Sequence, residues 1–116
     1  MPHKQRFSSE LDLITVLFHE LGHWTGNKDR LNRTGVVQSW DRDSPEYAFE
    51  ELVAELTTCF LLAYLGIPDR YGVNQHAGYI HGYIRLMEND RKALYRAAGQ
   101  ASRATRYLLR LFEGKR

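Results

Sequence analysis

The sequence predicts a single, mainly α-helical domain with little or no β-sheet. Three observations lead to this prediction. Apolar residues recur at helical spacing over residues 7–25, and a long apolar segment lies between Ser44 and Gly66, where start and stop residues bound it. The C-terminal residues 90–112 carry basic and apolar residues on opposite helical faces. A length of 116 residues fits one small domain.

The first predicted helix covers residues 7–25. Ser9, with Asp12 three residues later, resembles a capping box, and Gly26 with Asn27 supplies a stop. One face of this helix is apolar, and its residues are Leu11, Ile14, Leu17, Phe18, Leu21 and Trp24.

Residues 27–44 are rich in Asn, Asp, Arg, Gly and Ser and are predicted to form a loop. A short strand within residues 35–40 is the alternative. The second helix follows, with Ser44 as N-cap, Pro45 at the first helical position, and Gly66 with Pro68 at its end. Because this segment is apolar almost all round, we expect a buried helix.

A third helix is predicted over residues 74–88 and a fourth over residues 90–112, with a continuous helix and an interruption at Gly99 as the alternatives for the fourth. One face of the fourth helix is basic, comprising Lys92, Arg96, Arg103, Arg106 and Arg110. The opposite face is apolar, comprising Leu94, Ala97, Ala101, Ala104, Leu108 and Leu111.

The net charge of +2 is unevenly distributed. Residues 91–116 contain eight Lys or Arg and one Glu, a net charge of +7, whereas residues 1–90 contain eight Lys or Arg and thirteen Asp or Glu, a net charge of −5. A basic segment of this kind is typical of surfaces that meet nucleic acid or an acidic partner, although a basic helix face is more often simply solvated.

The polar N-terminus lacks the apolar core of a signal peptide, and the apolar stretch at residues 59–65 is too short to cross a bilayer. We therefore expect a soluble, cytoplasmic protein with no membrane partner.

Candidate catalytic residues lie in the first helix, where His19-Glu20-Leu21-Gly22-His23 forms an HExxH motif. Two histidines four residues apart project from one helical face, so both imidazoles can bind one ion. Glu20 is then placed to act as general base on a water beside that ion. The alternative is an exposed polar stripe on an ordinary helix.

A third metal ligand is expected from the second helix, where Glu50, Glu51 and Glu55 lie in an otherwise apolar segment. Buried carboxylates need a cation or several hydrogen bonds. Glu51 and Glu55 lie on one face, so one can bind the metal while the other orients a ligand histidine. The alternative is that these glutamates pair with Arg30 or Arg33, and for Glu50 the two interpretations have equal weight.

The segments HELGHWTGNKDRLNR, YAFEELVAEL and HAGYI together resemble the zincin-like metallopeptidase domain of ArdC/TraC-type plasmid antirestriction proteins, over residues 2–108. The resemblance implies a zincin-like fold, a zinc cofactor, His19 and His23 as ligands, and Glu20 as catalytic base. The pattern of Glu51 and Glu55 is similar to that of the gluzincins, which implies that Glu51 is the third ligand and that Glu55 orients a ligand histidine.

Members of that family carry an N-terminal single-stranded-DNA-binding domain, and zincins place strands before the active-site helix. We expect this chain to be one metallopeptidase domain over residues 1–116 that lacks both. His76 and Tyr79 are candidates for stabilising an oxyanion, although packing or surface roles are the alternative.

The expected function is therefore zinc-dependent hydrolysis of peptide bonds in a peptide or protein by zinc-activated water. The alternative is a non-enzymatic, metal-stabilised module that contacts single-stranded DNA or a host protein through the basic C-terminal helix. The sequence leaves the substrate and the oligomeric state open.

Overall fold

The computed structural model describes residues 10–38, 41–67, 81–82, 85 and 91–114. These residues form helices joined by turns and contain no strand, which confirms the mainly α-helical fold class. The helices in chain order are α1 (Glu10–Trp24), α2 (Thr34–Val37), α3 (Pro45–Tyr64) and α4 (Arg91–Phe112). Within the described part of the chain, no helix is both long enough and apolar enough to cross a membrane.

The bounds of α3 agree with the prediction because both ends carry strong local signals. Ser44 Oγ accepts a hydrogen bond from the backbone N–H of Tyr47, and Pro45 occupies the first turn. At the other end Gly66 adopts a positive φ of 69°. The Gly66 and Ile67 N–H groups donate to the carbonyls of Ala63 and Leu62, which is a Schellman motif.

Helix α3 lies at the centre of the domain and packs against both α1 and α4. One buried cluster lies between α3 and α4, comprising Ala48, Leu52, Val53, Ala93, Ala97 and Ala101. A second cluster joins α1, α3 and α4, comprising Phe18, Leu61, Leu62 and Leu108. Because α3 is covered on two sides, its buried acidic residues must find partners within the protein.

The short helix α2 corrects the predicted loop. The Arg33 carbonyl accepts hydrogen bonds from the N–H groups of Val36 and Val37, and that of Thr34 accepts from Gln38. Gly35 rests against Glu50 of α3, with no room for a Cβ atom between them. One helical turn therefore forms because α3 packs against it, a tertiary contact that local composition does not reveal.

Helix α4 runs through Gly99 without an interruption. The residues on either side, Ala97 and Ala101, are fully buried against α3 and hold the helix in place. The basic face is exposed as predicted, but the apolar face is narrower, since Leu94 and Leu111 are each 39% exposed.

Two further predictions lie partly or wholly outside the described residues. Of the predicted helix 74–88, His81, Gly82 and Arg85 are helical and the rest falls outside. The capping box of Ser9 and Asp12 also falls outside, and α1 is described from Glu10.

Replacing Gly99 by Ala should raise the free energy of unfolding by about 0.5–1 kcal/mol, because alanine favours the helix and loses less backbone entropy on folding. A Cβ atom at Gly99 would meet nothing within 4 Å. Urea denaturation at a fixed metal concentration measures the change. Ala101→Gly is the opposite control and should lower the free energy of unfolding. A loss of stability in Gly99→Ala would contradict the continuous helix.

Candidate metal centre

The candidate site lies between α1 and α3, which cross in antiparallel order. The later histidine of α1, His23, faces Glu50, whereas the earlier one, His19, faces Glu55. Glu51 lies between them and contacts both imidazoles. The structure thus brings together both histidines of the HExxH motif and all three glutamates that the sequence singled out.

Three side chains converge on one point. His19 Nε2 lies 3.0 Å from Glu51 Oε2, and His23 Nε2 lies 3.1 Å from Glu51 Oε1. The two Nε2 atoms are 3.2 Å apart. These residues form a group of nitrogen and oxygen donors that can hold a metal ion.

The types of donor atom suit zinc. One ligand atom from each of His19, His23 and Glu51 lies within 4.8 Å of the other two. Two imidazoles and one carboxylate are also the protein ligands of many catalytic zinc sites. The donor set therefore suits a zinc ion.

The Nδ1 atom of each histidine contacts a different carboxylate. His19 Nδ1 lies 3.2 Å from Glu55 Oε2, and His23 Nδ1 lies 2.9 Å from Glu50 Oε2. Because an ionised carboxylate can only accept, each Nδ1 is the donor, which directs each Nε2 towards Glu51. Glu55 thus contacts His19 and Glu50 contacts His23 in the same way, while the orienting role of Glu55 stays a prediction.

The carboxylates also control the protonation of both imidazoles. Burial lowers the pKa of each histidine, but the hydrogen bonds to the glutamates outweigh it and raise the pKa of His19 and of His23 to about 9. The pKa of Glu51 moves the other way: burial raises it, while the hydrogen bonds from both histidines hold it well below its usual range. The glutamates therefore favour a positive charge at this point of the structure.

A buried arginine completes the cluster. Arg33 donates from Nε to Glu50 Oε1 and from Nη2 to Glu50 Oε2, both at 2.9 Å. It also donates to the Gly22 carbonyl and to Thr25 Oγ1. Of the two interpretations of Glu50, pairing with an arginine is thus the one the structure shows, and contact with a histidine accompanies it.

Glu20, between the two histidines in the chain, is exposed to solvent. A polar group near the converging side chains is the Tyr47 hydroxyl, whose pKa is raised by partial burial, by the charge of Glu51, by its hydrogen bond to Glu51, and by the charge of Glu20. Sequence reasoning missed Tyr47, although its position one helical turn before Glu51 was a usable signal. His76 and Tyr79 lie outside the described residues and stay predictions.

Comparisons with known proteins agree with this geometry. The profile of the zincin-like metallopeptidases matches residues 1–100, which confirms the resemblance that the motifs predict. Two Escherichia coli proteins, each named DNA primase TraC, are 36% and 35% identical over 115 residues, which is 99% of this chain in both cases. The Uncharacterized protein y4eC of Sinorhizobium fredii is 33% identical over 106 residues, 87% of this chain.

The relatives are much longer than this chain. The aligned region makes up 10% and 8% of the two TraC proteins and 32% of the Sinorhizobium protein. No solved structure matches the chain.

Replacing Gly22 by Val should separate α1 from α3 and destabilise the domain by about 1–3 kcal/mol. A Cβ atom at Gly22 would lie 3.2 Å from Ala54 Cα, which is backbone and cannot move aside. Urea denaturation provides the measurement. Gly99→Val is the matched control, since nothing lies within 4 Å of that Cβ position, and it should change stability by less than about 0.5 kcal/mol. Equal effects at the two positions would contradict a close helix contact at Gly22.

Proposed function

The chain belongs to the zincin-like metallopeptidase family, and from that premise we propose that it hydrolyses peptide bonds with a zinc ion held by His19, His23 and Glu51. The observation that carries the proposal is the convergence of two Nε2 atoms and one carboxylate within 3.2 Å of one another. Its location within an HExxH motif gives that donor set a catalytic base as its neighbour.

In this proposal, the position of each residue determines its role. His19, His23 and Glu51 would bind the ion, while Glu55 and Glu50 orient the two imidazoles through their Nδ1 atoms. Zinc would supply Lewis acidity, which polarises an amide carbonyl and makes water acidic enough to lose a proton near neutral pH.

Glu20 would move the proton. In the proposed mechanism its carboxylate accepts a proton from the attacking water and then donates it to the nitrogen of the leaving amine. Its exposure allows contact with water and with a substrate that approaches from solvent. A glutamate buried beneath the histidines, as Glu55 is, could not do this.

Access to the site also favours an enzymatic role over a purely structural ion. The side chains of His19, His23 and Glu51 keep 21%, 24% and 15% of their surface exposed, whereas those of Glu50 and Glu55 keep 6%. Structural zinc sites have four protein ligands and are closed, and catalytic sites keep an open position. The described residues offer three converging ligands, and each of them is partly exposed to solvent.

Replacing Glu20 by Gln should leave zinc binding unchanged at one ion per chain and lower kcat for peptide hydrolysis by about 10²–10⁴-fold, because the amide cannot accept the proton. Metal content from elemental analysis and turnover of a peptide mixture are measured on the same samples. Glu10→Gln is the matched control, since Glu10 is an exposed glutamate on the same helix, and it should keep full activity.

Replacing His23 by Ala completes this experiment and should abolish both zinc binding and hydrolysis. A Glu20→Gln variant with wild-type turnover would refute the role of Glu20. A His23→Ala variant that still binds zinc with wild-type affinity would refute the ligand set.

A second candidate function is binding of single-stranded DNA through α4. Five basic side chains of that helix are exposed on one face, and α4 contains no acidic residue. Tyr95, beside Lys92 and Arg96, is 81% exposed, and exposed aromatic rings can stack on bases. Two relatives are named as DNA primases. In this role the metal site would stabilise the fold rather than perform chemistry.

Binding of a fluorescent single-stranded oligonucleotide at several salt concentrations tests this candidate. Replacing Arg103 and Arg106 together by Gln should weaken binding and reduce the slope of log affinity against log salt by about 1–2, because two phosphate contacts are lost. Arg42→Gln is the control, an exposed arginine outside α4. Binding that is unaffected by the double substitution would eliminate the candidate.

A further inference from the structure

We infer that Arg33 is a positioning residue for the metal centre: it locks the Glu50 carboxylate so that Glu50 orients His23 and does not itself compete for the ion. This inference rests on the proposed function, because it concerns the same three ligands. Arg33 lies outside both the HExxH motif and helix α3.

The contacts of Arg33 account for almost the whole guanidinium group. Nε and Nη2 bind the two oxygens of Glu50, Nη2 also binds the Gly22 carbonyl, and Nη1 binds Thr25 Oγ1, at distances between 2.7 and 2.9 Å. The Arg33 side chain keeps 4% of its surface exposed. A buried guanidinium held in this way has one orientation. The Glu50 carboxylate is also fixed, because both of its oxygens accept hydrogen bonds from Arg33.

The turn after α1 brings the Arg33 side chain to Glu50. Residues 25–33 fold back on themselves, with the Leu31 N–H donating to the Thr25 carbonyl and the Arg33 N–H to the Gly26 carbonyl. Asn32 adopts a positive φ of 53°, which reverses the chain direction just before Arg33. A Cβ atom on Gly26 would lie 2.8 Å from Arg33 Nη2, so glycine leaves the room that the guanidinium occupies.

The fixed carboxylate determines what Glu50 can do. Its Oε2 atom receives both Arg33 Nη2 and His23 Nδ1, each at 2.9 Å, and its Oε1 atom receives Arg33 Nε. Glu50 is adjacent to Glu51 in the chain, and without Arg33 its carboxylate could rotate towards the same ion. With Arg33 present, Glu50 holds the His23 ring with Nδ1 protonated, which leaves Nε2 for the metal.

The same turn contains a matched control. Arg30 packs over the Trp24 ring, with its guanidinium carbon 3.8 Å from the ring centroid, and donates from Nε to the Trp24 carbonyl. Both arginines therefore contact the end of α1. Of these two, Arg33 alone contacts Glu50 in the hydrogen bonds and ion pairs of the described residues.

The experiment compares Arg33→Met with Arg30→Met by measuring zinc affinity in competition with a chelating dye. We expect Arg33→Met to lower zinc affinity about 10- to 100-fold, as is usual when a residue that orients a metal ligand is lost, and Arg30→Met to change it less than about twofold. Circular dichroism on the metal-free proteins identifies variants that remain folded. Arg33→Lys is the second variant: it keeps the buried positive charge but cannot span both carboxylate oxygens, and it should also lower affinity.

A second measurement separates positioning from stability. In the zinc-loaded wild type, imidazole nitrogen chemical shifts should show His23 with a proton on Nδ1 and none on Nε2, and in Arg33→Lys the Nδ1 proton should exchange faster with water. Backbone amides of α4 are the reference, because a general loss of stability speeds exchange at both places, whereas a loss of positioning speeds it at His23 Nδ1 alone.

The outcomes distinguish the two proposals. If the wild type takes up no zinc, the proposed function fails, and this inference fails with it. If the wild type binds zinc and either the Arg33 variants match it or Arg30→Met loses as much affinity, only the inference is overturned. Selective loss in the Arg33 variants, with faster exchange at His23 Nδ1, supports it.

Discussion

The arrangement of this domain depends on how the negative charges of three glutamates on α3 are compensated. Helix α3 itself carries no basic residue. Helix α3 is covered by α1 on one side and by α4 on the other, so Glu50, Glu51 and Glu55 cannot all turn to water. Burial of a carboxylate without a partner costs several kcal/mol. Each one is therefore paired within the fold: Glu50 with Arg33 and His23, Glu51 with both histidines, and Glu55 with His19.

The packing of α1 against α3 explains how two histidines contact three glutamates. Because α1 and α3 are antiparallel and Gly22 lets them approach closely at Ala54, each imidazole reaches carboxylates of α3 with both of its nitrogens. The Nδ1 atoms reach Glu50 and Glu55 on either side, and the Nε2 atoms meet Glu51 in the middle. A side chain with a single polar atom at either histidine position could not join the outer and central carboxylates. The orienting hydrogen bonds and the candidate metal ligands are therefore parts of one interface.

Much of the fold and the centre of the site could be predicted from local sequence signals. Ser44, Pro45 and Gly66 mark the ends of α3 with capping chemistry that acts within a few residues, and the spacing of His19 and His23 is itself helical. What the sequence did not show depends on tertiary contacts. The turn of residues 25–33 brings Arg33 back onto Glu50, and α2 forms against α3 where the local composition indicates a loop. Gly99 was a misleading local signal, because burial of Ala97 and Ala101 outweighs the low helix propensity of one exposed glycine.

The charges of the same cluster indicate which kind of ion it suits. The carboxylates of Glu50, Glu51 and Glu55 with the guanidinium of Arg33 carry a net charge of −2, which a divalent cation neutralises and a monovalent one does not. Two of the three converging donors are imidazole nitrogens, which suit zinc and its neighbours in the first transition row better than magnesium or calcium, whose preferred ligands are oxygens. An ion at this point would also join α1 to α3, so its binding free energy would add to the stability of the folded state. In a domain of this size, where burial alone leaves a modest margin, chemistry and folding would then depend on the same three ligands, and the arginine that holds Glu50 would support both.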